Sequence, residues 1–339
     1  MGNREFDFSD LDSLIQEDKF ETSNIFNRNY TLEYGLGGCL LDYIGFEKNY
    51  KIKAFFEHGI SFSDDVKDSM RVHESLPSIM SSNFRQNVIL SQKNNNGAYA
   101  IGPYIAYAKS LLTDEEIQNE KKRLGKNLLI FPAHSTQLSQ VEFDFNGFCK
   151  NISDIGKDFD TIRVCLYWKD IKNGFNEIYE DYGFDVVTAG HINDQLFLHR
   201  LRSLIEIADV TMSNQIGSHV GFCFHLNKPH YLIKTENIVY KPSNSSNVTK
   251  IRFGQEKKLS NQDELDYMKF LLTQHNADYD KLMPLLDKYF GLTNVKSKEE
   301  LQDIFRECEK NYSNLKFYFG FFKLAKKYFS SLFGYFSNK

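Results

Sequence analysis

Five short apolar runs follow one another along the chain: LLIFP (128–132), TIRVCLYW (161–168), FDVVTAG (184–190), DVTMSN (209–214) and PHYLIK (229–234). The segments between them carry apolar residues at helical spacing, for example Phe145, Phe148, Ile152 and Ile155. Apolar strands that alternate with amphipathic helices are typical of βαβ units. This stretch therefore predicts a parallel sheet with helices on both faces.

The segment before these runs has the pattern of a smaller α/β domain. Candidate strands lie at 51–57, 76–81 and 98–102, and a helix is predicted over 31–44. A charged segment rich in helix formers, 113–126, ends this domain or bridges to the next.

The character of the sequence changes again after Lys234. Residues 241–250 are rich in Ser and Asn and predict a loop, and from Asn261 onward the pattern is helical. We therefore expect two Rossmann-like α/β domains facing a cleft and a C-terminal helical extension, with bounds 1–120, 121–255 and 256–339.

Composition narrows the class of protein. A chain of 339 residues that is 41% hydrophobic can bury a sizeable core, and two domains are the expectation at this length. A net charge of −4 and a pI near 6.2 do not suggest a nucleic-acid binder, which normally carries a basic domain or stripe.

Cysteine use and the N-terminus indicate a cytoplasmic protein. The cysteines are odd in number, scattered and without metal-ligand spacing, so buried free thiols in a reducing compartment are expected. No basic segment followed by an apolar one opens the chain, and no window approaches the ~18 apolar residues of a spanning helix.

Polar residues follow four of the predicted strands. They lie in the segments 132–135, 168–170, 190–194 and 213–221. In an open parallel sheet, ligands bind beyond the carboxyl ends of the strands. We therefore expect these segments to form a binding site.

The segment after the fourth run is the strongest candidate. Small polar residues and glycine ahead of a helix leave free backbone N–H groups for a phosphate or carboxylate, which here predicts donor-binding roles for Ser213, Asn214, Gly217, Ser218 and His219. The alternative is that Ser213 and Asn214 cap the helix and that the glycines permit close packing.

The neighbouring strand ends add further donor-binding candidates. Gly190 and His191 are predicted to contact the donor phosphate, and His134 and Ser135 are predicted to lie beside them. The alternative for His191 is a strand-end histidine that bonds a neighbouring backbone group.

Candidates for a general base lie in the first domain. Glu57 and His58 end a predicted strand and precede Gly59, so either could deprotonate an acceptor hydroxyl. Glu33 is a further candidate, and a role at a helix start is the alternative for it.

The order of these motifs resembles bacterial glycosyltransferases with the glycosyltransferase B fold, which act on capsule and lipopolysaccharide. The resemblance covers about residues 30 to 235 and rests on Glu57-His58-Gly59, Gly190-His191, the 213–219 segment and Asn227-Lys228-Pro229-His230. It implies two facing Rossmann-like domains, a nucleotide-sugar donor on the second and a catalytic base on the first.

Within that group the chain is similar to sialyltransferase-like enzymes that use CMP-activated ulosonic acids. His191, Ser213 and Ser218 match the order of a His-Pro motif and a serine-rich motif, although Ile192 stands in place of the proline. This resemblance implies a CMP donor. No DxD pair flanked by apolar residues ends a predicted strand, so a metal-independent reaction without a cofactor is expected.

The C-terminal tail is basic and aromatic. Residues 310–339 contain six lysines and no acidic residue. A helix of this kind, from about 312 to 339, could hold the enzyme against the inner face of the cytoplasmic membrane near a lipid-linked glycan acceptor. The alternative is a terminal helix that packs its aromatic residues on the rest of the protein.

Two other functions remain open at this point. The first is a nucleotide-sugar 2-epimerase or hydrolase on the same fold, and the second is a non-catalytic protein of polysaccharide assembly. Fold alone does not distinguish them.

Overall fold

A computed structural model describes residues 7–16, 33–64, 76–92, 95–136, 139–242 and 259–313 of the chain. A small parallel sheet lies in its first third. The sheet consists of β1 (Phe55–Phe56), β2 (Ser78–Met80) and β3 (Ala98–Ala100), hydrogen-bonded in that order. All three predicted strands are confirmed, and each is shorter than its apolar run.

Four helices precede the second sheet in the chain: α1 (Leu11–Leu14), α2 (Leu36–Ile44), α3 (Asn83–Leu90) and α4 (Asp114–Leu124). The predicted helix over 31–44 begins as a 3₁₀ turn at Glu33–Gly35 before it continues as α2, and residues 31 and 32 lie outside the described ranges. A capping box between Thr113 and Glu116 starts α4, because each residue bonds a backbone N–H that the helix leaves free.

The second sheet contains five parallel strands, with a separate two-stranded antiparallel ribbon beside it. In chain order the strands of the sheet and the ribbon together are β4 (Asn127–Phe131), β5 (Ser139–Glu142), β6 (Thr161–Cys165), β7 (Asp185–Val187), β8 (Val210–Ser213), β9 (His230–Leu232) and β10 (Val239–Pro242). The sheet order is β7-β6-β4-β8-β9, and β5 pairs with β10 in the ribbon. The connections therefore run first to one side of β4 and then to the other, and the reversal falls between β4 and β8.

The remaining helices are α5 (Phe145–Ile155), α6 (Trp168–Lys172), α7 (Phe175–Glu180), α8 (Phe197–Ile207), α9 (Ser218–His225), α10 (Gln262–Leu272), α11 (Tyr279–Phe290) and α12 (298–313). All five strands predicted between 128 and 234 are confirmed, as is the helical region after Asn261 within the described residues. The ribbon was not predicted, because Lys241 and Pro242 were assigned to a loop; residues 243–250 of that loop lie outside the described ranges.

One apolar core extends across both sheets. It includes Phe56 and Ile79 of the first sheet, Leu129 and Phe131 of β4, and Leu201 of α8. The start of α2 lies so close to the segment between β7 and α8 that a Cβ on Gly35 would be 2.2 Å from the carbonyl oxygen of Gln195. Gly35 also has a φ of +66°, so glycine suits this contact on both grounds.

The C-terminal helices pack back onto the rest of the chain. Leu286 of α11 belongs to the same apolar cluster as Val220 of α9. Phe62, which follows β1, and Phe84 of α3 pack against this cluster. Phe305 of α12 lies in the core that joins the two sheets. The predicted helical extension is therefore in contact with both sheets over its described part.

Candidate active site

The point where the sheet connections reverse forms a crevice between the carboxyl ends of β4 and β8. The backbone N–H of Ala133, after β4, donates to Oδ1 of Asn214, after β8, at 2.6 Å. This bond holds the two strand ends together. Reversal points of this kind are where open α/β sheets bind their ligands.

The N-terminus of α9 opens into this crevice without a side-chain cap. Its N-cap residue is Gly217, in extended backbone, and it makes no side-chain cap bond. Asn214 is 8% exposed, and its Nδ2 has no hydrogen-bond partner among the described residues. Free backbone N–H groups, the positive end of the helix dipole and an unused amide donor together suit an anion.

His219, in the first turn of α9, is a neutral group in this crevice. Its ring stacks on Phe131 with the ring centres 5.1 Å apart. Burial, with a contribution from the charge of His134, lowers the pKa of His219 to about 3. At neutral pH it can therefore offer hydrogen bonds and shape to a ligand but no positive charge.

The Ser213 side chain makes its contacts inside the sheet and not in the crevice. Its hydroxyl donates to the carbonyl of Gln215 at 2.9 Å and lies 3.0 Å from Nε2 of His230. Nδ1 of His230 lies 2.9 Å from the hydroxyl of Thr211, and burial lowers the pKa of His230 well below its ordinary value. The structure thus places the Ser213 side chain beneath the crevice, while Ser218 begins α9.

His134 and Ser135 lie at the end of β4 beside Asp170 of α6. The backbone N–H of Ser135 donates to both carboxylate oxygens of Asp170 at 3.2 Å. Burial raises the pKa of Asp170, and the Ser135 bonds and the charge of His134 oppose this. His134 is exposed, its Nδ1 bonds the Ser135 carbonyl at 2.7 Å, and its Nε2 therefore remains as an acceptor.

The β5–β10 ribbon flanks the same crevice. The backbone N–H of Val141 in β5 donates to the hydroxyl of Ser135 at 3.1 Å. The hydroxyl of Tyr240 in β10 bonds the side-chain amide oxygen of Gln215. The ribbon therefore connects the segments that follow β4 and β8.

Gly190 and His191 lie at the end of β7 and are covered. His191 is 5% exposed, its backbone N–H donates to the Leu14 carbonyl at 2.9 Å, and its ring contacts Trp168 at 4.4 Å between ring centres. Gly190 has a φ of +98° and packs against Arg200, which forms a buried ion pair with Asp194.

Glu33 and His58, two of the predicted base candidates, lie in contact. Nδ1 of His58 is 2.7 Å from a carboxylate oxygen of Glu33, and Nε2 is 3.0 Å from the hydroxyl of Tyr34. Burial raises the pKa of Tyr34 well above its ordinary value, so its hydroxyl keeps its proton and donates to His58. Tyr34 has a φ of +61°, a strained conformation of the kind that clusters at functional sites.

Glu57, the third candidate base, forms an ion pair with Arg85. Its carboxylate accepts from Nε of Arg85 at 2.8 Å and lies 2.6 Å from Nη2 of the same residue. Both side chains are buried, and Arg85 also donates to the carbonyl of Ser63. This ion pair anchors the backbone next to His58 to α3.

Tyr167 connects the two groups of candidates. Its ring centre is 4.6 Å from that of His134, and burial raises its pKa, with smaller contributions from the charges of Glu33 and Asp170. The Glu33–His58 pair of the first sheet therefore lies within electrostatic reach of the crevice of the second.

Sequence reasoning missed several members of this site. They are Tyr34, Tyr167 and Tyr240. Asp170 and His230 lie in the segments 168–170 and 227–230, which the polar strand-end pattern and the family resemblance had singled out, but neither residue was given a role. The tyrosines carry no such signal, since their roles depend on contacts between elements distant in the chain.

The described ranges contain no group of three or more His, Cys, Asp or Glu side chains arranged to hold a metal ion. Within the same ranges, no helix has the length and apolarity needed to cross a membrane.

Comparisons with known proteins return only distant structural likenesses. No protein-family profile matches the chain, and no curated protein matches it in sequence. Among solved structures, the chain is similar to Phytolacca americana UGT2 complexed with UDP-2fluoro-glucose and pterostilbene, at a TM-score of 0.33 and 11% identity. The similarity covers 84% of this chain and 70% of the other. A TM-score this low assigns neither fold nor activity.

Proposed function

We propose that this chain is a glycosyltransferase that moves a sugar from a nucleotide donor to a glycan acceptor. The observation that carries the proposal is an uncapped helix N-terminus with a free amide donor, together with a histidine that a carboxylate orients within electrostatic reach of it. The first suits a phosphate, and the second suits the removal of a proton from a hydroxyl.

The donor phosphate binds at the start of α9. The N–H groups of Ser218 and His219 and Nδ2 of Asn214 donate to its oxygens, and His134 lies at the edge of the crevice. Donors fixed in place before the reaction stabilise the charge that develops on the leaving phosphate. Gly217 permits the phosphate to approach the backbone, because it has no side chain.

The acceptor hydroxyl loses its proton to the Glu33–His58 pair. Its oxygen forms a bond to the anomeric carbon of the sugar while the bond from that carbon to the phosphate oxygen breaks. The proton passes through the Tyr34 hydroxyl to Nε2 of His58, and Glu33 stabilises the resulting imidazolium through Nδ1. The nucleotide leaves with the electron pair of the broken bond. His58 is therefore the proposed base, ahead of Glu57, whose carboxylate is taken up by Arg85.

A CMP-activated ulosonic acid is the donor that we propose in particular, with a capsule, lipopolysaccharide or related glycan as acceptor. Its support is the resemblance of the His191, Ser213 and Ser218 motifs to the enzymes that use such donors. The reaction requires no metal in this proposal, because the phosphate is stabilised by protein donors.

Attachment to the inner face of the cytoplasmic membrane through residues 312–339 completes the proposal. Its support is the composition of this tail, with its lysines and aromatic residues. Of these residues only Tyr312 and Ser313 are described, and Nζ of Lys53 lies over the Tyr312 ring at 5.2 Å from its centre.

Release of free nucleotide from CMP-, UDP- and GDP-sugars, with and without an oligosaccharide such as lactose, tests the proposal. One donor should raise the melting temperature, because binding to the folded state stabilises it. With that donor, nucleotide release should accelerate when acceptor is present and should be unaffected by EDTA. Release at the same rate without acceptor would indicate a hydrolase or epimerase. Failure of every donor to bind would exclude the transferase.

A further inference from the structure

A second cavity lies between α4, β7 and the segment 7–11, and none of the predicted site residues lines it. Its volume is about 820 Å³. Buried apolar side chains form part of its wall, namely Phe8, Phe184, Val186 and Val187.

Arg163 of β6 lines this cavity and is 4% exposed. Its Nε and Nη2 atoms are buried and have no hydrogen-bond partner within the part of the chain that the structure describes. Burial lowers the pKa of the guanidinium only to about 10, so it remains charged at neutral pH. Buried donors of a charged group without hydrogen-bond partners are costly, and a ligand that accepts from them would recover that cost.

The geometry of the free atoms indicates what would bind. Nε and Nη2 lie on the same edge of the guanidinium plane and present two parallel N–H donors. This fork matches the two oxygens of a carboxylate or phosphate. Arg123, the other arginine at the cavity, already binds Glu120 with an Nη2 to oxygen distance of 2.6 Å.

The entrance of the cavity is acidic. Asp7, Glu116, Glu180 and Asp185 line it and are exposed. These carboxylates disfavour a doubly charged phosphate more than a singly charged carboxylate. They also offer acceptors for hydroxyl or ammonium groups on the same ligand.

We propose that this cavity binds a small hydroxy- or amino-carboxylate, with the carboxylate on Nε and Nη2 of Arg163 and the other polar groups toward the acidic entrance. The site is separate from the donor crevice and does not depend on the proposed transferase activity.

Thermal unfolding of the full chain with sodium glycolate, glycine, sodium acetate or inorganic phosphate, at matched ionic strength, tests this proposal. Glycolate or glycine should raise the melting temperature of the wild type more than acetate or phosphate does. Arg163→Met should abolish that rise without lowering the melting temperature of the free protein, because it removes a buried charge with two unsatisfied donors. Arg306→Met, which alters an exposed arginine paired with Asp303 on α12, should leave the rise intact.

Arg163→Lys provides a second measurement, since lysine keeps the charge but lacks the two-donor fork. Isothermal titration should show an affinity at least about tenfold weaker for this variant, as expected when a charge-assisted hydrogen bond is lost. An unchanged response of Arg163→Lys and Arg163→Met to glycolate and glycine would overturn the proposal. So would a wild type that responds to phosphate but to neither carboxylate.

Discussion

Replacement of Asn214 by aspartate separates phosphate recognition from folding. The substitution keeps an oxygen that can accept from the Ala133 N–H, now at 2.6 Å, and changes only the Nδ2 donor into a second carboxylate oxygen. An added negative charge just before the N-terminus of α9 is favourable in the free protein. We therefore expect Asn214→Asp to fold with an unchanged or higher melting temperature.

The loss in binding can be worked out from the same contact. A hydrogen bond to a charged group contributes about 1.5–3 kcal/mol, and a like charge about 4 Å from the phosphate costs about 1 kcal/mol or more. Together these two losses make the affinity of Asn214→Asp for a phosphate ligand about a hundredfold weaker than that of the wild type.

Isothermal titration with CMP and with cytidine measures this loss. CMP should bind the variant about a hundredfold more weakly than the wild type, whereas cytidine, which has no phosphate, should bind both alike. Asn151→Asp, at an exposed position on α5, is the matched control and should bind CMP normally. The reasoning fails if Asn214→Asp binds CMP as tightly as the wild type, or if CMP and cytidine weaken equally.

Three further predictions concern the base, acid stability and the tail. Glu33→Gln and His58→Gln should each lower turnover by about 10²–10⁴ while donor affinity stays near normal, as measured by steady-state kinetics and titration. Acid should destabilise the fold, because burial lowers the pKa of His230 well below its ordinary value and that of His219 from 6.5 to about 3. As the pH falls, these histidines take up protons in the unfolded chain before they do so in the folded protein. The free energy of unfolding therefore keeps its full value above pH 6.5 and falls by up to ~1.4 kcal/mol per histidine for each pH unit below it. Urea unfolding at pH 7 and at pH 5 measures this loss. Finally, a chain ending after residue 313 should lose the salt-sensitive binding to anionic vesicles that the full chain shows in co-sedimentation.

For each of these three predictions, a particular result would contradict it. Normal turnover in both base variants would place the base elsewhere. His230→Gln should flatten the pH dependence of unfolding, so an unchanged slope would mean that His230 is not the origin of the effect. Equal, negligible pelleting of the full and shortened chains, at low and high salt, would leave the tail with a packing role.

The five-stranded sheet could be predicted because its information is local. Strands buried on both faces, such as β4, are continuous apolar runs, and intervening helices such as α5 show their own period. The polar residues that end these strands were visible for the same reason. The ribbon could not be predicted from the sequence, because β5 is four residues of mixed polarity and its partner β10 lies about a hundred residues further along the chain.

The sequence by itself determined that a parallel α/β sheet forms and that Asn214 and Gly217 precede a helix at the edge of that sheet. Only the tertiary structure decided which side chains are free to act. It placed Glu33 against His58 and Glu57 against Arg85, although the sequence had offered Glu57 and His58 first and Glu33 only as a further candidate. It also turned the Ser213 hydroxyl toward His230 and left Nδ2 of Asn214 without a described partner. The physical reason is that strand and helix patterns arise from neighbours in the chain, whereas the availability of a polar group depends on partners that packing brings from distant segments.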